Sequence, residues 1–314
     1  MRSFWTLVKE AFNQWWNEDR PFELAAALAY YTLFSLAPLL VIAVSVAGFF
    51  FGREAAQNQI VETLSGFVGK DTGLVIQTTI ENAAKQQTSD SIIAVVIGVA
   101  LLLFGAGGVI GQLQSSLNMI WGVEPKPGQG VLGFIKERFM SYAMVLGVGF
   151  LLLVSLVVSA ALSAFDQFLE GAMPGAGIIL QVIHFVVSLG LITFMFAAIY
   201  RFMPDARVAW KDAAIGGFLT ALLFNIGKYF IGLYIGQSSV ASVYGAAGSI
   251  VTLLLWIYYS SLIFFFGAEL TQVYAAKYGS GLTPARNAQP AKPEVERGKR
   301  MRQNNRRDVR PLPS

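Results

Sequence analysis

The sequence predicts an all-α, polytopic membrane protein with six transmembrane helices and both termini in the cytoplasm. Three observations carry that prediction. Apolar residues make up 55% of the 314 residues and charged residues only 13%, against about 25% charge in an average soluble domain. Six apolar runs each reach the ~20 residues that a ~30 Å hydrocarbon core requires. The basic residues between those runs fall on alternate loops, as the positive-inside rule demands.

The elements follow in order. Residues 1–20 read as an amphipathic interfacial segment. Phe4, Trp5, Val8, Phe12, Trp15 and Trp16 recur there at helical spacing among charges, and paired Trp suits a headgroup layer. The membrane domain spans 21–278. Its apolar runs cover about 24–51 (with Pro38 inside), 91–121, 139–165, 177–200, 210–235 and 246–270. Helices are expected because each lipid-exposed backbone must satisfy its own hydrogen bonds. No cleavable signal peptide is expected, because the first run is too long for a signal h-region.

The charges set the orientation. Arg2, Lys9 and Arg20, then Lys126, Lys136 and Arg138, then Arg201, Arg207 and Lys211, fall on one side, together with the 10 Lys and Arg of the last 44 residues. Arg53, Lys70 and Lys85, all in the loop 52–90, are the basic residues of the other. That outer loop carries two amphipathic patterns, Ile60, Val61, Leu64, Phe67 and Val68, then Leu74, Val75, Ile76 and Ile80. A helical pair on the outer surface is expected, broken between Gly69 and Gly73. From Gly279 the chain turns basic and proline-rich, so 279–314 is expected to be a disordered cytoplasmic tail. It suits an anionic inner leaflet; nucleic acid is the disfavoured partner.

Several chemistries are excluded. The chain has no Cys and a single His, His184, so thiolate and multi-histidine metal sites within one chain cannot be built. It has no Gly-x-x-x-x-Gly-Lys-Ser/Thr loop for ATP. No cofactor, metal or catalytic residue is expected.

Polar groups inside a bilayer are costly and therefore point to function. One set is Lys228, Asn225, Gln181 and His184, at matching depth near the outer ends of the fourth and fifth helices. It reads as a pocket for an anion such as a lipid phosphate, or as a snorkelling lysine beside a packed histidine. The other set lies inside: Gln112, Gln114 and Asn118 at the polar end of the second helix, with Glu23, Tyr30, Tyr31, Arg201 and Glu269. It reads as a water-lined cavity, with an interfacial Arg201–Glu269 ion pair or a proton relay at Glu269. Glycines cluster at 105–111 and at 245–248, which favours close helix packing or a broken helix at a transport site.

Five stretches resemble one family. They are Leu24-Ala-Ala-Ala-Leu-Ala-Tyr-Tyr-Thr-Leu-Phe-Ser-Leu-Ala-Pro38, Leu113-Gln-Ser-Ser-Leu-Asn-Met-Ile-Trp121, Met203-Pro-Asp205 with Trp210-Lys-Asp-Ala213, Tyr244-Gly-Ala-Ala-Gly-Ser249, and Gly267-Ala-Glu269. In this order they resemble the YihY/virulence factor BrkB family of bacterial inner-membrane proteins, over about residues 20–280. The resemblance implies a six-helix fold in the bacterial inner membrane. It implies no secure activity: ribonuclease, serum-resistance and envelope-transport labels have all been attached to members.

The leading expectation is a transporter or binder of a lipid or other amphiphilic anion in envelope homeostasis, working without ATP hydrolysis. Its candidate residues are Lys228, His184, Asn225, Gln181, Gln112, Asn118, Arg201 and Glu269. The alternative is a scaffold for envelope protein partners. A ribonuclease is disfavoured, because one His and no metal cluster leave it no chemistry. Oligomeric state stays open.

Overall fold

The structure is a computed structural model of the chain and describes residues 2–68, 70–86, 107–126, 177–237, 247–281 and 283–291. Helix α1 is Arg2–Asn17 and α2 is Pro21–Phe51. The outer pair is α3, Arg53–Val68, and α4, Lys70–Gln86. Residues 107–120 form α5, and strand β1, Val123–Pro125, follows. Then come α6, Gly177–Phe202; β2, Ala206–Arg207; α7, Trp210–Gln237; and α8, Gly248–Tyr278. Strands β3, Thr283–Pro284, and β4, Ala288–Pro290, end the described chain.

Among the described residues, three helices are long and apolar enough to cross a bilayer: 18 residues from Phe185 to Phe202, 25 from Trp210 to Tyr234 and 31 from Gly248 to Tyr278. They match the fourth to sixth predicted spans. Phe185, Val186 and Phe230 stand more than half exposed on them, which suits lipid-facing surface better than water. Helix α2, at 31 residues, coincides with the first span and runs unbroken through Pro38. Of the second span only α5 is described. The third span, 139–165, the loops 166–176 and 238–246, and the chain after residue 291 lie outside the described residues.

A reciprocal close packing holds α7 against α8. A Cβ added at Gly216 would sit 1.8 Å from Thr271 Oγ1, and one added at Gly267 would sit 2.0 Å from Thr220 Oγ1. Each threonine hydroxyl meanwhile donates to its own helix: Thr220 to the Gly216 carbonyl and Thr271 to the Gly267 carbonyl, both at 2.7 Å. The hydroxyls are thus satisfied without water, and each threonine fills the notch left by the other helix's glycine. Further along, Gly227 faces Ile263 and Tyr259. Gly217, on the neighbouring face of α7, meets α6 backbone: its Cβ would lie 2.7 Å from the Thr193 carbonyl oxygen and 2.8 Å from the Ala197 nitrogen. These glycines lie outside the clusters that the sequence singles out.

The expected outer helical pair is present. Gly73, however, lies within α4 rather than in the break, opposite Ser65 of α3, where a Cβ would meet Ser65 Oγ at 1.9 Å. Ile76 and Ile80 are buried with Leu40 and Val44 of α2 and with Leu253 and Ile257 of α8. Helices α3 and α4 therefore cap one end of the bundle.

The opposite end gathers α1, the N-terminus of α2, the turn 203–209 and the residues after α8. Disorder is expected from Gly279 onward, but 283–291 is ordered. β1 pairs antiparallel with β4, Glu124 opposite Gln289, and β2 pairs with β3, Ala206 opposite Pro284. Two-stranded ladders of this length tolerate proline because half their backbone donors face outward anyway.

Substituting Gly217→Ala is expected to destabilise the protein by about 1–3 kcal/mol, since the obstructing atoms are backbone and cannot turn aside. Gly232→Ala, where a Cβ would meet nothing within 4 Å, is expected to leave stability unchanged. Thermal unfolding of the two variants in the same detergent checks this.

Candidate functional site

Helix α6 ends at Phe202 and α7 starts at Trp210, so the turn between them sits where apolar helix gives way to polar chain. Arg201 governs that turn. Its Nη1 donates to the Val208 carbonyl. Its guanidinium lies 5.0 Å from the Trp210 ring centroid and 5.7 Å from that of Phe202, and such stacking favours Arg over Lys. Beside it opens a cleft of about 460 Å³, lined by Arg201, Arg207, Val208, Ser280 and Thr283 among others. Arg207 is exposed, carried into the cleft wall by the β2–β3 ladder. The cleft therefore offers two guanidinium groups and two hydroxyls at one mouth.

Two aspartates build the frame around it. Asp205 accepts from Asn118 Nδ2 at 2.9 Å, Gln114 Nε2 at 3.4 Å and Asn287 Nδ2 at 3.1 Å, while its own backbone N–H donates to Asn118 Oδ1 at 2.7 Å. Its carbonyl accepts from the Ala285 N–H at 2.8 Å. One residue thereby ties α5 and the β3–β4 turn to the end of α6. Asp212, in the first turn of α7, accepts from the Ser280 backbone N–H at 2.9 Å and hydroxyl at 2.7 Å. A carboxylate near a helix N-terminus is also favoured by the helix dipole. Deeper in, the buried Tyr200 hydroxyl donates to the Phe264 carbonyl at 2.8 Å and sits 3.1 Å from Thr220 Oγ1.

The predicted inner group is therefore redistributed. Gln112 bonds Ser116 on its own helix at 3.2 Å, and Gln114 and Asn118 bond Asp205. These side chains find partners in protein groups. Tyr30 and Tyr31 are exposed, and Glu23 pairs with Arg20 at 3.8 Å. The expected Arg201–Glu269 ion pair is not formed, because Arg201 is turned onto Val208 and Trp210. Glu269, only 2% exposed, is buried on α8 with its Oε2 lacking a hydrogen-bond partner.

In the predicted outer group, Asn225 turns onto its own helix, its Nδ2 donating to the Ala221 carbonyl at 2.9 Å. Lys228 is exposed beside the exposed Tyr229 and Phe230. Gln181 and His184 lie on α6, and their side chains fall outside the described residues. Of the six predicted site residues whose side chains are described, only Arg201 lines the cleft. Arg207, Asp205 and Asp212 are missed as site residues. Asp205 and Asp212 stand within the recognisable stretches Met203-Pro-Asp205 and Trp210-Lys-Asp-Ala213, which is the signal that marks them. Among the described residues no group of three or more His, Cys, Asp or Glu could hold a metal ion.

The chain matches the family described as virulence factor BrkB over residues 12–292. It is 30% identical over 257 residues to a UPF0761 membrane protein of Pseudomonas paraeruginosa, covering 80% of this chain and 59% of that one. A UPF0761 membrane protein of Pseudoalteromonas translucida is 30% identical over 253 residues, with 79% of each chain covered. One of Rhodospirillum centenum is 28% identical over 271 residues, covering 84% of this chain and 56% of that one. The chain thus spans little more than half the length of the Pseudomonas and Rhodospirillum relatives. No solved structure matches it.

Replacing Asp205→Ala is expected to cost about 2–4 kcal/mol, since it orphans part-buried amides on two elements. Asp205→Asn, which keeps an acceptor but loses the charge, is expected to cost less. Unfolding of both variants, with protease cleavage after 280 as a local readout, checks the order.

Proposed function

The chain belongs to the virulence factor BrkB family of membrane proteins, and on that premise we propose that it binds a lipid or other amphiphilic anion and moves it without ATP hydrolysis. The observation that carries this reading is the cleft of about 460 Å³ with Arg201 and Arg207 at the end of the bundle. Guanidinium groups suit a phosphate because they present paired donors in a fixed fork. Phe202 and Trp210, 57% and 42% exposed beside the cleft, would meet the apolar part of the same ligand. An amphiphile needs both surfaces at one depth, and the end of α6 supplies both.

Orientation belongs to the same proposal. Lys9, Arg20, Lys126, Arg201, Arg207 and Lys211 share this end of the bundle, and the positive-inside rule assigns it to the cytoplasm. The cleft would then face the inner leaflet of a bacterial inner membrane, where anionic lipids are concentrated. The basic chain after residue 291 adds attraction to the same surface.

A scaffold role in envelope assembly is the second reading. It is supported by the α3–α4 cap, whose free side forms a polar cleft of about 420 Å³ lined by Arg53, Glu54, Gln57, Asn58, Gln77 and Glu81. A protein partner on the opposite face of the membrane would dock there.

Mass spectrometry of lipids retained in native nanodiscs separates the readings. An anionic lipid enriched by wild type is expected to fall by roughly tenfold in Arg207→Ala, the loss of one charge-assisted contact, and to persist in Lys228→Ala. Loss in Lys228→Ala alone would move the site to the far end of α7. Identical profiles in all three would favour the scaffold, and capture of envelope proteins lost on Arg53→Ala with Glu81→Ala would then identify the cap as the docking face.

A further inference from the structure

Helix α1 has two apolar faces, not one. Leu7, Ala11 and Trp15 recur every four residues and are buried. They face α8: Leu7 and Ala11 pack with Leu270 and Val273, and the Trp15 ring lies edge-on to Phe266 at 5.5 Å between centroids. Glu10 is engaged by Lys277 of the same helix. Trp5, Phe12 and Trp16, seven and four residues apart, share the next face round the helix, and each is half or more exposed. A third face is polar, with Asn13 and Asn17 exposed on it. The sequence offers these aromatic residues as a single amphipathic stripe; docking on α8 consumes only one side of it.

The exposed aromatic face continues onto the bundle. The Phe12 and Trp16 rings stack at 5.8 Å. Trp16 meets Phe22 edge-on at 5.1 Å, and Phe22, in the first turn of α2, is itself exposed. Phe12 also meets Phe266 of α8 edge-on at 6.3 Å.

The depth of this surface follows from α8. Its 31 residues are about ten more than a crossing of ~20 needs. Both charged residues of α8, Glu269 and Lys277, lie after Ala268, so the excess falls at that end. Helix α1 packs on Leu270 and Val273, within the excess, where hydrocarbon gives way to headgroups.

We propose that the Trp5–Phe12–Trp16 face of α1, continued by Phe22, is a lipid-contact surface that lies in the headgroup layer of the leaflet at this end of the bundle. Indole rings suit that layer because an apolar body and an N–H donor meet there at one depth. Lys9, exposed at the edge of the same face, stands four residues from Trp5 and seven from Trp16, placed to reach lipid phosphates. The opposite side of the helix is held by protein, so α1 joins the bundle to the membrane surface. This surface is separate from the arginine cleft and involves neither of its guanidinium groups.

The chain has no Cys, so spin labels can be placed one at a time on the full-length protein in nanodiscs of phosphatidylethanolamine and phosphatidylglycerol. Collision with O₂, which concentrates in lipid, and with a water-soluble nickel chelate reads the surroundings of each label. At Trp5→Cys, Phe12→Cys and Trp16→Cys the O₂ rate is expected to exceed the nickel rate. At Asn13→Cys and Asn17→Cys the order is expected to reverse. The same order at all five positions, of either sign, overturns the proposal. So does shielding of the three aromatic positions from both agents, which would show a protein surface covering them. The unlabelled chain gives a second measurement. In nanodiscs of brominated phospholipid, the quenched share of tryptophan fluorescence is expected to fall when Trp5→Phe is combined with Trp16→Phe, and a share equal to that of wild type overturns the proposal as well.

Discussion

The contact on which the bundle depends is the reciprocal seating of Thr220 against Gly267 and of Thr271 against Gly216. In a lipid environment apolar side chains gain little by leaving one another's company for the solvent, so helices associate by close packing and by satisfied polar groups. A glycine opposite a threonine supplies both. The backbone approaches closely, and the hydroxyl remains bonded to its own helix at 2.7 Å. Tyr200 uses the same place: its hydroxyl reaches over to the Phe264 carbonyl and Thr220. Through it α6 joins the α7–α8 pair, with Gly217 admitting the α6 backbone directly.

That tight seam has a consequence for the ends of the helices. Once α6, α7 and α8 are fixed, the turn 203–209 and the residues after α8 are brought side by side. Their backbones need partners, and they find them in one another as β2–β3 and in β1 as β1–β4. Asp205 and Asp212 convert this proximity into a defined frame by collecting amide and hydroxyl donors from three elements. The arginine cleft is held open by that frame. Its guanidinium groups are positioned by a rigid turn and a strand, which limits the ordering cost a ligand must meet.

The same end of the molecule carries two opposed electrostatic features. The cleft gathers two guanidinium groups, whereas the Glu269 carboxyl is buried on α8 with its Oε2 unpartnered. Arg201 is turned onto Val208 and Trp210, away from Glu269. An Arg201–Glu269 pair would have neutralised both features. Its absence leaves the Arg201 guanidinium at the cleft and the Glu269 carboxyl buried apart from it.

Much of this was legible without coordinates. Hydrophobic length placed the spans of α6, α7 and α8, because each bilayer crossing must satisfy its own backbone and so leaves a continuous apolar run, and amphipathic spacing placed the outer pair α3–α4. Alternation of basic loops grouped the residues that the fold assembles at one end. Arg201 was identifiable as a charge at a helix terminus. What tertiary structure alone decided was partnership. A polar residue near a span end reads the same whether it faces water, a ligand or another helix. Gln114 and Asn118 could not be separated from cavity-lining residues until Asp205, about ninety residues away, was seen to receive them. Gly216, Gly217 and Gly267 acquire their packing role only when helices bring a threonine or a backbone opposite each. Order after Gly279 likewise depends on strands contributed by distant segments. Local composition sets what each stretch can do alone, and the pairing of distant stretches sets which of those capacities is used.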